Sequence, residues 1–256
     1  MKNKKINKNK HFTKIIQNYI LSISIIAVIL LAIYCLIQLC IIAYQINYYK
    51  DHNPKITGII KYRIKEAKEQ NIEYCYSFKY VPLKKISPTL KIAIIATEDP
   101  NFIYHHGFDF NQIKKSFLIN LKHRKILSGG STITMQIART IFLHPKRTFS
   151  RKAAEALITI LMETMLPKKR IFELYLNYIE LGNGIFGVPK AASHYFNKDT
   201  KQLTYTEILA ITGTISSPNV TNPAKPNKWL LWKMRIVNNK IKILSNKTKE
   251  LILKKY

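Results

Sequence analysis

Acidic residues are scarce in this chain. It contains 14 Asp and Glu among 256 residues against 42 Lys and Arg, which gives a formal net charge of +28. Such an excess of positive charge indicates an anionic partner, such as nucleic acid, a membrane surface or a phosphorylated substrate. The chain is also rich in Ile, Asn, Lys and Tyr together, and a codon bias explains many surface lysines equally well. The charge alone therefore does not identify the partner.

Cysteine is also scarce, which limits the metal and disulfide sites that the chain can build. Cys35 and Cys40 lie in an apolar N-terminal stretch, and only Cys75 lies in the remaining part. One cysteine forms neither a disulfide framework nor a cysteine zinc site. The sequence H-E-x-x-H is absent, and the adjacent His105 and His106 are poorly placed to face one ion. We therefore predict no metal-ligand site.

The N-terminal stretch contains no charged side chain from residue 15 to residue 49. Its most apolar part, residues 19–43, is long enough to cross a bilayer, which takes about 20 helical residues. A cleavable signal peptide has a shorter apolar core, about 7 to 15 residues, and a buried core helix is the remaining alternative. We predict an uncleaved anchor. Residues 1–14 carry six lysines and no acid, which predicts a cytoplasmic N-terminus with residues 50–256 outside.

Composition divides the chain into five predicted segments. Strand-like alternation is scarce and no repeat with a period of about 20 to 50 residues occurs, so we predict a mainly α fold. The segments are a basic tail at 1–14, a transmembrane anchor at 15–45, a linker or lead-in at 46–75, a globular domain at 76–245 and a C-terminal tail at 246–256.

Capping residues and apolar periodicity predict where the helices begin and end. Ser87 begins one helix, with Pro88 at its first position. Residues 128–131, Ser-Gly-Gly-Ser, form a predicted loop. Further helices are predicted from Asp109 to about Lys125, from Ser131 to near Leu143, from Ser150 to Leu166, from Lys168 to Leu181 before Gly182, after a capping box of Thr204 and Glu207, and through residues 227–244.

Two acids end an apolar run within residues 92–110. Glu98 and Asp99 follow this run, and His105 and His106 come shortly after. The segment fits a metal site, a general acid/base site or a solvated helix end. Apolar neighbours and the negative end of a helix both raise the pKa of a carboxylate, which suits a general base. Taken alone, the pair of acids is better explained by a helix end.

A cluster of hydroxyl and cationic side chains follows at residues 129–156. Ser131 and Thr132 stand at a predicted helix N-terminus, where free amides bind anions. Gln136 lies near the same face as Thr132, and Glu155 is spaced to pair with nearby cations. We predict a phosphate-handling strip, with a solvated basic face and one helical salt bridge as the alternative. The cations are Arg139, Arg147, Arg151 and Lys152.

Four motifs in order carry a family resemblance. They are E-D-x-x-F-x-x-H-x-G at Glu98 to Gly107, G-G-S-T-I-x-x-Q at Gly129 to Gln136, R-K-x-x-E at Arg151 to Glu155, and K-x-x-I-x-E-x-Y-L-N at Lys168 to Asn177. Together they resemble the signature of the family 51 peptidoglycan glycosyltransferases, over residues 80–220 approximately. Each motif alone is weak, but their order is specific. The anchor and short length resemble the monofunctional members.

The resemblance implies a lysozyme-like, two-lobed helical glycosyltransferase domain without a transpeptidase domain. Its substrate is expected to be lipid II, polymerised onto a nascent glycan chain with inversion and release of undecaprenyl diphosphate. Glu98 matches the general base, and Glu155 matches a second essential glutamate near the diphosphate. Residues expected to bind substrate or diphosphate are Ser131, Thr132, Gln136, Arg139, Arg147, Arg151, Lys152 and Asn177; residues expected to support the site are Asp99, Phe102, His105 and Gly107.

The resemblance also implies the surroundings of the enzyme. No cofactor is expected to be required, although Mg²⁺ or Mn²⁺ could join at the diphosphate. The expected partners are lipid II, the nascent glycan, the bacterial membrane and other cell-wall synthesis proteins, with no nucleic acid. We expect a single-pass protein of the bacterial cytoplasmic (inner) membrane, with a cytoplasmic N-terminus and an external or periplasmic catalytic domain. His105 is expected to brace the loop after Glu98, with His106 exposed.

Rival functions lack their own signals. A bifunctional penicillin-binding protein needs S-x-x-K and K-T-G, which are absent. A membrane-anchored nucleic-acid binder lacks interleaved aromatic and basic residues on a sheet face. A lysozyme-like hydrolase remains, because it shares the fold type and a catalytic glutamate. Two positions depart from the family pattern: Met135 replaces one of two paired glutamines, which predicts a lost substrate contact, and Arg139 with Thr140 replaces Lys-Asn.

Overall fold

A computed structural model describes the backbone of residues 2–125 and 129–256 and the side chains from residue 17 onward within those ranges. Ser128, where the predicted loop begins, lies outside the described residues. Contacts divide the chain into two compact units, residues 1–45 and residues 46–256.

The first unit lies within helix α1, Lys2–Tyr48. The stretch Gln17–Tyr48 has 32 residues with a mean hydropathy of 3.0, and none of its most apolar window is buried. Because about 20 residues suffice to cross the hydrocarbon core, α1 is long and apolar enough for the predicted single-pass anchor. Its orientation stays a prediction.

The second unit is mainly helical, which confirms the predicted class, while the two-lobed, lysozyme-like arrangement stays a prediction. A short 3₁₀ turn at Leu83–Lys85 precedes α3. The helices are α2 Gly58–Glu69, α3 Pro88–Glu98, α4 Phe110–His123, α5 Ile133–Phe142, α6 Phe149–Met165, α7 Lys168–Tyr178, α8 Val188–Phe196, α9 Tyr205–Thr214, α10 Lys228–Ile243 and α11 Asn246–Lys255.

A small sheet of three short strands was not predicted. Strands β1 (Ser77–Phe78), β2 (Glu180–Gly182) and β3 (Ile185–Phe186) lie in the order β1-β3-β2, with β1 parallel and β2 antiparallel to β3. The prediction that one helix runs from 168 to 181 is therefore wrong at its end, because α7 stops at Tyr178 and Gly182 belongs to β2. Strands of two or three residues are too short to show an alternating pattern.

Two predicted caps are wrong, and a third residue stands at the predicted cap position without making a side-chain bond. The α5 cap is Thr132, whose hydroxyl accepts the Met135 amide, rather than Ser131. The α6 cap is Thr148 rather than Ser150, because Thr148 has the extended backbone that a cap requires. Ser87 precedes α3 but makes no side-chain capping bond.

Other predicted helix ends are confirmed. Pro88 begins α3, and Asp109 accepts the Gln112 amide at the start of α4. Thr204 and Glu207 form the predicted capping box of α9. These caps satisfy amides that have no partner inside their helices, so local chemistry alone determines the helix starts at these positions.

Helix α3 is buried along most of its length and packs against α9, α10 and α11. Helix α5 packs against α2, α6 and α7. The segment predicted as a tail, residues 246–256, contains α11, whose Ile252 is fully buried. The predicted lead-in, residues 46–75, contains α2 with Ile59 and Ile60 in the core. The C-terminal end of α3 lies beside α5, where the predicted site residues Glu98 and Gln136 meet.

Candidate active site

Glu98 is the last residue of α3 and is linked to helices α5 and α7. The Nε2 amide of Gln136, on α5, donates a hydrogen bond of 3.0 Å to Glu98 Oε2. The hydroxyl of Tyr175, on α7, donates a hydrogen bond of 3.2 Å to Gln136 Oε1. One amide therefore connects a carboxylate on α3 to a buried phenol on α7.

The electrostatic environment of Glu98 suits a proton acceptor. The residue is half-buried, and burial raises the pKa of its carboxyl above the ordinary value. The Gln136 hydrogen bond and the charges of Lys240 and Lys233 on α10 lower this pKa in part. Lys240 is held in place because its Nζ donates to the Thr97 carbonyl at 2.6 Å. A carboxylate whose pKa is raised above its ordinary value is a stronger proton acceptor, which suits a general base.

Asp99 joins the end of α3 to the start of α5. It is 3% exposed, and its carboxylate accepts a hydrogen bond of 3.0 Å from the Ile133 amide. His105 Nε2 lies 2.9 Å from Asp99 Oδ1. His105 therefore braces the loop after Glu98, as predicted, and His106 is exposed. Among the described residues, no group of three or more His, Cys, Asp or Glu is arranged to hold a metal ion.

Phe102 and Gly107 shape the loop that follows Asp99. Phe102 is fully buried, and Lys168 Nζ lies 4.5 Å from its ring centroid. Gly107 has a φ of +88°, and its carbonyl accepts a hydrogen bond of 2.6 Å from Thr132 Oγ1. A Cβ at this glycine would lie 2.9 Å from Thr159 Cγ2, so both the backbone angle and the space require glycine.

Two residues predicted to bind substrate have internal partners instead. Asn177 is fully buried; its Oδ1 accepts the Val81 amide at 2.8 Å and its Nδ2 donates to the carbonyls of Val81 and Glu173. Thr132 is 3% exposed and uses its hydroxyl both to donate to Gly107 and to accept the Met135 amide. The structure gives both side chains supporting roles.

Of the other residues predicted to bind substrate or diphosphate, all except Gln136 line one cavity of about 430 Å³. It lies between the loop before α5 and the first turn of α6. Its cations are available to a negatively charged ligand, with Arg147 exposed and Lys152 half-buried. The lining residues are Gly129, Ser131, Arg139, Pro145, Arg147, Thr148, Phe149, Arg151 and Lys152.

Glu155 lies beneath this cavity and holds two of its cations. Its side chain is 1% exposed, and its two oxygens accept hydrogen bonds from Arg151 Nη1 and Lys152 Nζ. Lys152 Nζ also donates to Ser131 Oγ at 3.2 Å. The predicted helical salt bridge is therefore present, but its acid is buried rather than solvated. Both oxygens of Glu155 are therefore engaged by cations that line the cavity.

Helix α5 connects the carboxylate to the cavity. Gln136 binds Glu98, and Arg139, three residues later, lines the cavity. Residues three apart are neighbours on a helix surface. Burial and the charge of Glu98 raise the pKa of the Tyr175 hydroxyl well above its ordinary value, and the charge of Arg139 opposes this rise. Helix α5 thus joins the carboxylate of Glu98 to the cationic cavity through Gln136 and Arg139.

Several residues near the site were not predicted to take part. Tyr175 was quoted only as part of a motif, yet it is fully buried behind Gln136. Lys233 and Lys240 influence Glu98 from α10, which sequence patterning marked only as a helix. Phe149 is 98% exposed at the cavity. No local pattern distinguishes Tyr175, Lys233 and Lys240, because each meets the site through a contact distant in sequence.

The two departures from the family pattern lie inside the fold. Met135 is 4% exposed, so its side chain contributes to the core and the lack of an amide there removes no group from the cavity surface. Thr140 is also 4% exposed, and its hydroxyl donates to the Gln136 carbonyl at 2.9 Å. Arg139 is half-buried and reaches the cavity.

Comparison with known proteins gives consistent matches. A curated protein named "Biosynthetic peptidoglycan transglycosylase" from Chromobacterium violaceum is 38% identical over 212 residues, covering 83% of this chain and 92% of that protein. A protein of the same name from Laribacter hongkongensis is 37% identical over 216 residues, covering 84% and 94%. A crystal structure of penicillin-binding protein 1A from Haemophilus influenzae matches with a TM-score of 0.38 and 22% identity, over 71% of this chain and 18% of that one. The family model described as "Transglycosylase" matches residues 66–242, so the chain belongs to the transglycosylase family.

Proposed function

We propose that this protein is a peptidoglycan glycosyltransferase that polymerises lipid II into glycan strands with release of undecaprenyl diphosphate. Relatives that match over most of the chain are named biosynthetic peptidoglycan transglycosylases. One observation carries the proposal: helix α5 links a half-buried carboxylate, Glu98, to a cavity lined by four cations. A base beside an anion site is what transfer of a sugar from a diphosphate requires.

The proposed reaction is an inverting displacement. The 4-hydroxyl of the incoming GlcNAc loses its proton to Glu98 as its oxygen bonds to C1 of the MurNAc at the end of the growing chain. The bond from C1 to the diphosphate oxygen breaks, and its electron pair leaves with undecaprenyl diphosphate. The anomeric centre changes from α to β. Glu98 then releases the proton to water, so one carboxylate serves the whole cycle.

Stabilisation of the leaving group falls to the cationic cavity. A diphosphate is already a good leaving group, so the main requirement is to stabilise the negative charge that develops on it. The positive charges that would stabilise it are those of Arg139, Arg147, Arg151 and Lys152. Glu155 keeps two of them aligned because both of its oxygens are engaged by Arg151 and Lys152. This assigns Glu155 to the diphosphate end of the site.

The transfer needs no cofactor in this proposal. The cavity lining contains cations rather than carboxylates, and both oxygens of Glu155 are already engaged, so the lining does not suit a resident divalent cation. If Mg²⁺ or Mn²⁺ takes part at all, it would enter bound to the diphosphate and would not be required for the transfer. Polymerisation in the presence of a chelator tests this assignment, and the reaction is expected to continue.

We propose that the enzyme works at the outer face of the bacterial cytoplasmic (inner) membrane. The apolar helix Gln17–Tyr48 supports a single-pass anchor, and the six lysines in residues 1–14 support a cytoplasmic N-terminus. A membrane-bound site suits a lipid-linked substrate and its glycan product, and a periplasmic domain is in reach of other cell-wall synthesis proteins but not of nucleic acid.

The decisive experiment is polymerisation by the full chain in detergent or lipid vesicles. Labelled lipid II should be converted to a polymer that lysozyme digests, and the Glu98→Gln variant should make it about 100- to 10,000-fold more slowly at the same enzyme concentration. Release of sugars from preformed glycan, without consumption of lipid II, would instead establish a lysozyme-like hydrolase. Full polymerisation by the variant would remove Glu98 from the proposed chemistry.

A further inference from the structure

Behind the proposed base lies a buried hydroxyl that cannot touch substrate. Tyr175 is fully buried, and its hydroxyl donates to Gln136 Oε1 at 3.2 Å. The other end of the same amide, Nε2, donates to Glu98 Oε2 at 3.0 Å. The three residues lie on three helices, α7, α5 and α3, so their order is set by packing and not by local sequence.

We propose that Tyr175 is a positioning residue for the reaction: it fixes the orientation of the Gln136 amide so that the N–H, and not the oxygen, faces Glu98. This inference rests on the proposed function, in which Glu98 is the general base. It concerns only how that base is kept ionisable, and it assigns Tyr175 no contact with lipid II or the glycan.

The two orientations of a glutamine amide have opposite effects on a neighbouring carboxyl. An N–H donor stabilises the ionised carboxylate, whereas an amide oxygen in the same place repels it and favours the protonated acid. Oxygen and nitrogen have nearly the same size, so packing alone does not choose between them. The choice is made by the hydrogen-bond partner at the far end of the amide, which here is Tyr175.

A buried tyrosine hydroxyl must give its proton to an acceptor, since an unpaired buried donor is costly. Burial and the charge of Glu98 raise the pKa of Tyr175 well above its ordinary value, so it remains a donor throughout the working pH range. The acceptor is Gln136 Oε1. Rotation of the amide would present N–H to the hydroxyl and oxygen to the carboxylate, which is unfavourable at both ends.

The groups that face Glu98 explain why this orientation matters. Burial raises the pKa of Glu98, and the negative charge of Asp99 adds to that rise. The Gln136 N–H, with Lys240 and Lys233 from α10, lowers it again. The lysines do not depend on Tyr175, whereas the Gln136 donor does. Loss of the hydroxyl therefore removes one of the influences that keep the base ionised.

The test is the pH dependence of kcat/KM for polymerisation of labelled lipid II by the full chain carrying Tyr175→Phe. With less stabilisation of its ionised form, Glu98 should stay protonated to higher pH. The acidic limb should move upward by about 0.5 to 1 pH unit, the shift expected when one hydrogen bond of ordinary net strength is lost. KM should be unchanged, and activity should recover toward the wild-type value as the pH is raised.

Tyr178→Phe is the matched control. Tyr178 lies on the same helix, is also fully buried, and donates its hydroxyl to the Pro54 carbonyl at 2.8 Å. Both variants lose one buried hydroxyl, so a general loss of stability should appear in both melting temperatures. Only Tyr175→Phe should move the acidic limb. Identical pH profiles in the two variants would overturn the positioning role.

A second test uses Gln136→Met, which keeps the length of the side chain but removes the amide. If Tyr175 acts only through Gln136, adding Tyr175→Phe to this variant should cause no further shift of the acidic limb. Replacing both partners by apolar groups also avoids a lone unpaired group, so the double variant remains informative where Tyr175→Phe alone fails to fold. Additive shifts would overturn the proposal. Glu98→Gln keeps the two outcomes separate, since near-normal polymerisation by that variant would contradict the assignment of Glu98 as the base, whatever Tyr175 does.

Discussion

His105 Nε2 lies 2.9 Å from the buried carboxylate of Asp99, six residues earlier in the chain. Because an ionised carboxylate only accepts hydrogen bonds, the imidazole N–H is the donor. The same carboxylate accepts the Ile133 amide at the start of α5. The acid next to the proposed base is therefore a structural connector, and the nearby histidine that suggests a metal site in the sequence is one of its partners.

This role predicts a stability effect for Asp99→Ala. The substitution leaves the Ile133 amide and the His105 ring without their shared acceptor, and each unsatisfied buried group costs about 1 to 3 kcal/mol. Thermal or denaturant unfolding of the full chain should show a clear loss of stability. Asp51→Ala is the control, because Asp51 is exposed and should have almost no effect. Equal stability of the two variants would show that the connector contributes little.

The cationic cavity predicts a binding defect for Arg139→Ala and Arg147→Ala. Each substitution removes a charged donor from the cavity lining, and such a donor contributes about 1.5 to 3 kcal/mol when bound to an anion. Affinity for lipid II should fall about tenfold or more, with the melting temperature little changed for Arg147, which is exposed. Lys146→Ala is the control, since Lys146 is adjacent and exposed but lies outside the lining. Unchanged affinity in both arginine variants would show that these cations form only a solvated basic face and do not bind the diphosphate.

The position of Glu155 predicts non-additive effects. Glu155→Gln should impair turnover, because the amide keeps only one acceptor oxygen and no negative charge, so it cannot hold both Arg151 and Lys152. Combined with Lys152→Ala, it should cost less than the sum of the single effects, since both changes disturb the same contact. Glu69→Gln is the control: it also lies in an i, i+4 pair on a helix, but that pair is exposed. Strictly additive losses would mean that Glu155 acts independently of the cavity cations.

Much of this arrangement is predictable because its chemistry is local. Proline at a first helical position, aspartate before α4 and the Thr204–Glu207 capping box each determine a helix start from neighbouring residues alone. The caps that were mispredicted involve choices between close hydroxyls. Thr132, and not Ser131, caps α5, and its hydroxyl also donates to the Gly107 carbonyl. That partner lies 25 residues away in sequence, so rules based on neighbouring residues do not predict it.

Prediction of the site has the same limit as prediction of the helix caps: contacts between residues distant in sequence are not visible in local patterns. The order of motifs indicated Glu98, Glu155 and the cations, but not which side chains point inward. Asn177 and Thr132 form internal braces, and Tyr175, Lys233 and Lys240 approach Glu98 from helices α7 and α10. These outcomes depend on how helices pack, which is decided by contacts between residues far apart in sequence.

The charge distribution around α1 predicts the topology. Six lysines precede the apolar stretch, so residues 1–14 should stay in the cytoplasm and Tyr256 should be external. A reporter that is active only outside the cytoplasm should function when fused after Tyr256, and a reporter active only inside should not. The same fusions to residues 46–256 without α1 should reverse the pattern. An active cytoplasmic reporter on the full chain would contradict the proposed location.

The substitution Glu98→Gln keeps the shape of the side chain but removes its ability to take a proton. Turnover should fall by about 100- to 10,000-fold, the usual contribution of a general base, while lipid II still binds. The wild-type enzyme should lose activity as the pH falls through the raised pKa of Glu98. Residual activity in the variant should lack this acidic limb. Near-normal polymerisation by the variant would contradict the assignment.

The substitution Glu98→Gln, which should lower activity, should at the same time keep or raise the stability of the fold at neutral pH. Burial raises the pKa of Glu98 in the folded protein, so the folded state holds a proton that the unfolded chain has already lost. Ionisation therefore costs stability as the pH rises above the ordinary glutamate value of about 4.3. Glu98→Gln removes this cost, because its neutral amide still accepts the Gln136 N–H. The variant should melt at or above the wild-type temperature at neutral pH, and the difference should shrink as the pH falls toward 4. A melting-temperature difference that does not change with pH would mean that the pKa of Glu98 is not shifted by folding, and a variant that melts lower at neutral pH but not near pH 4 would mean that the ionised carboxylate stabilises the fold.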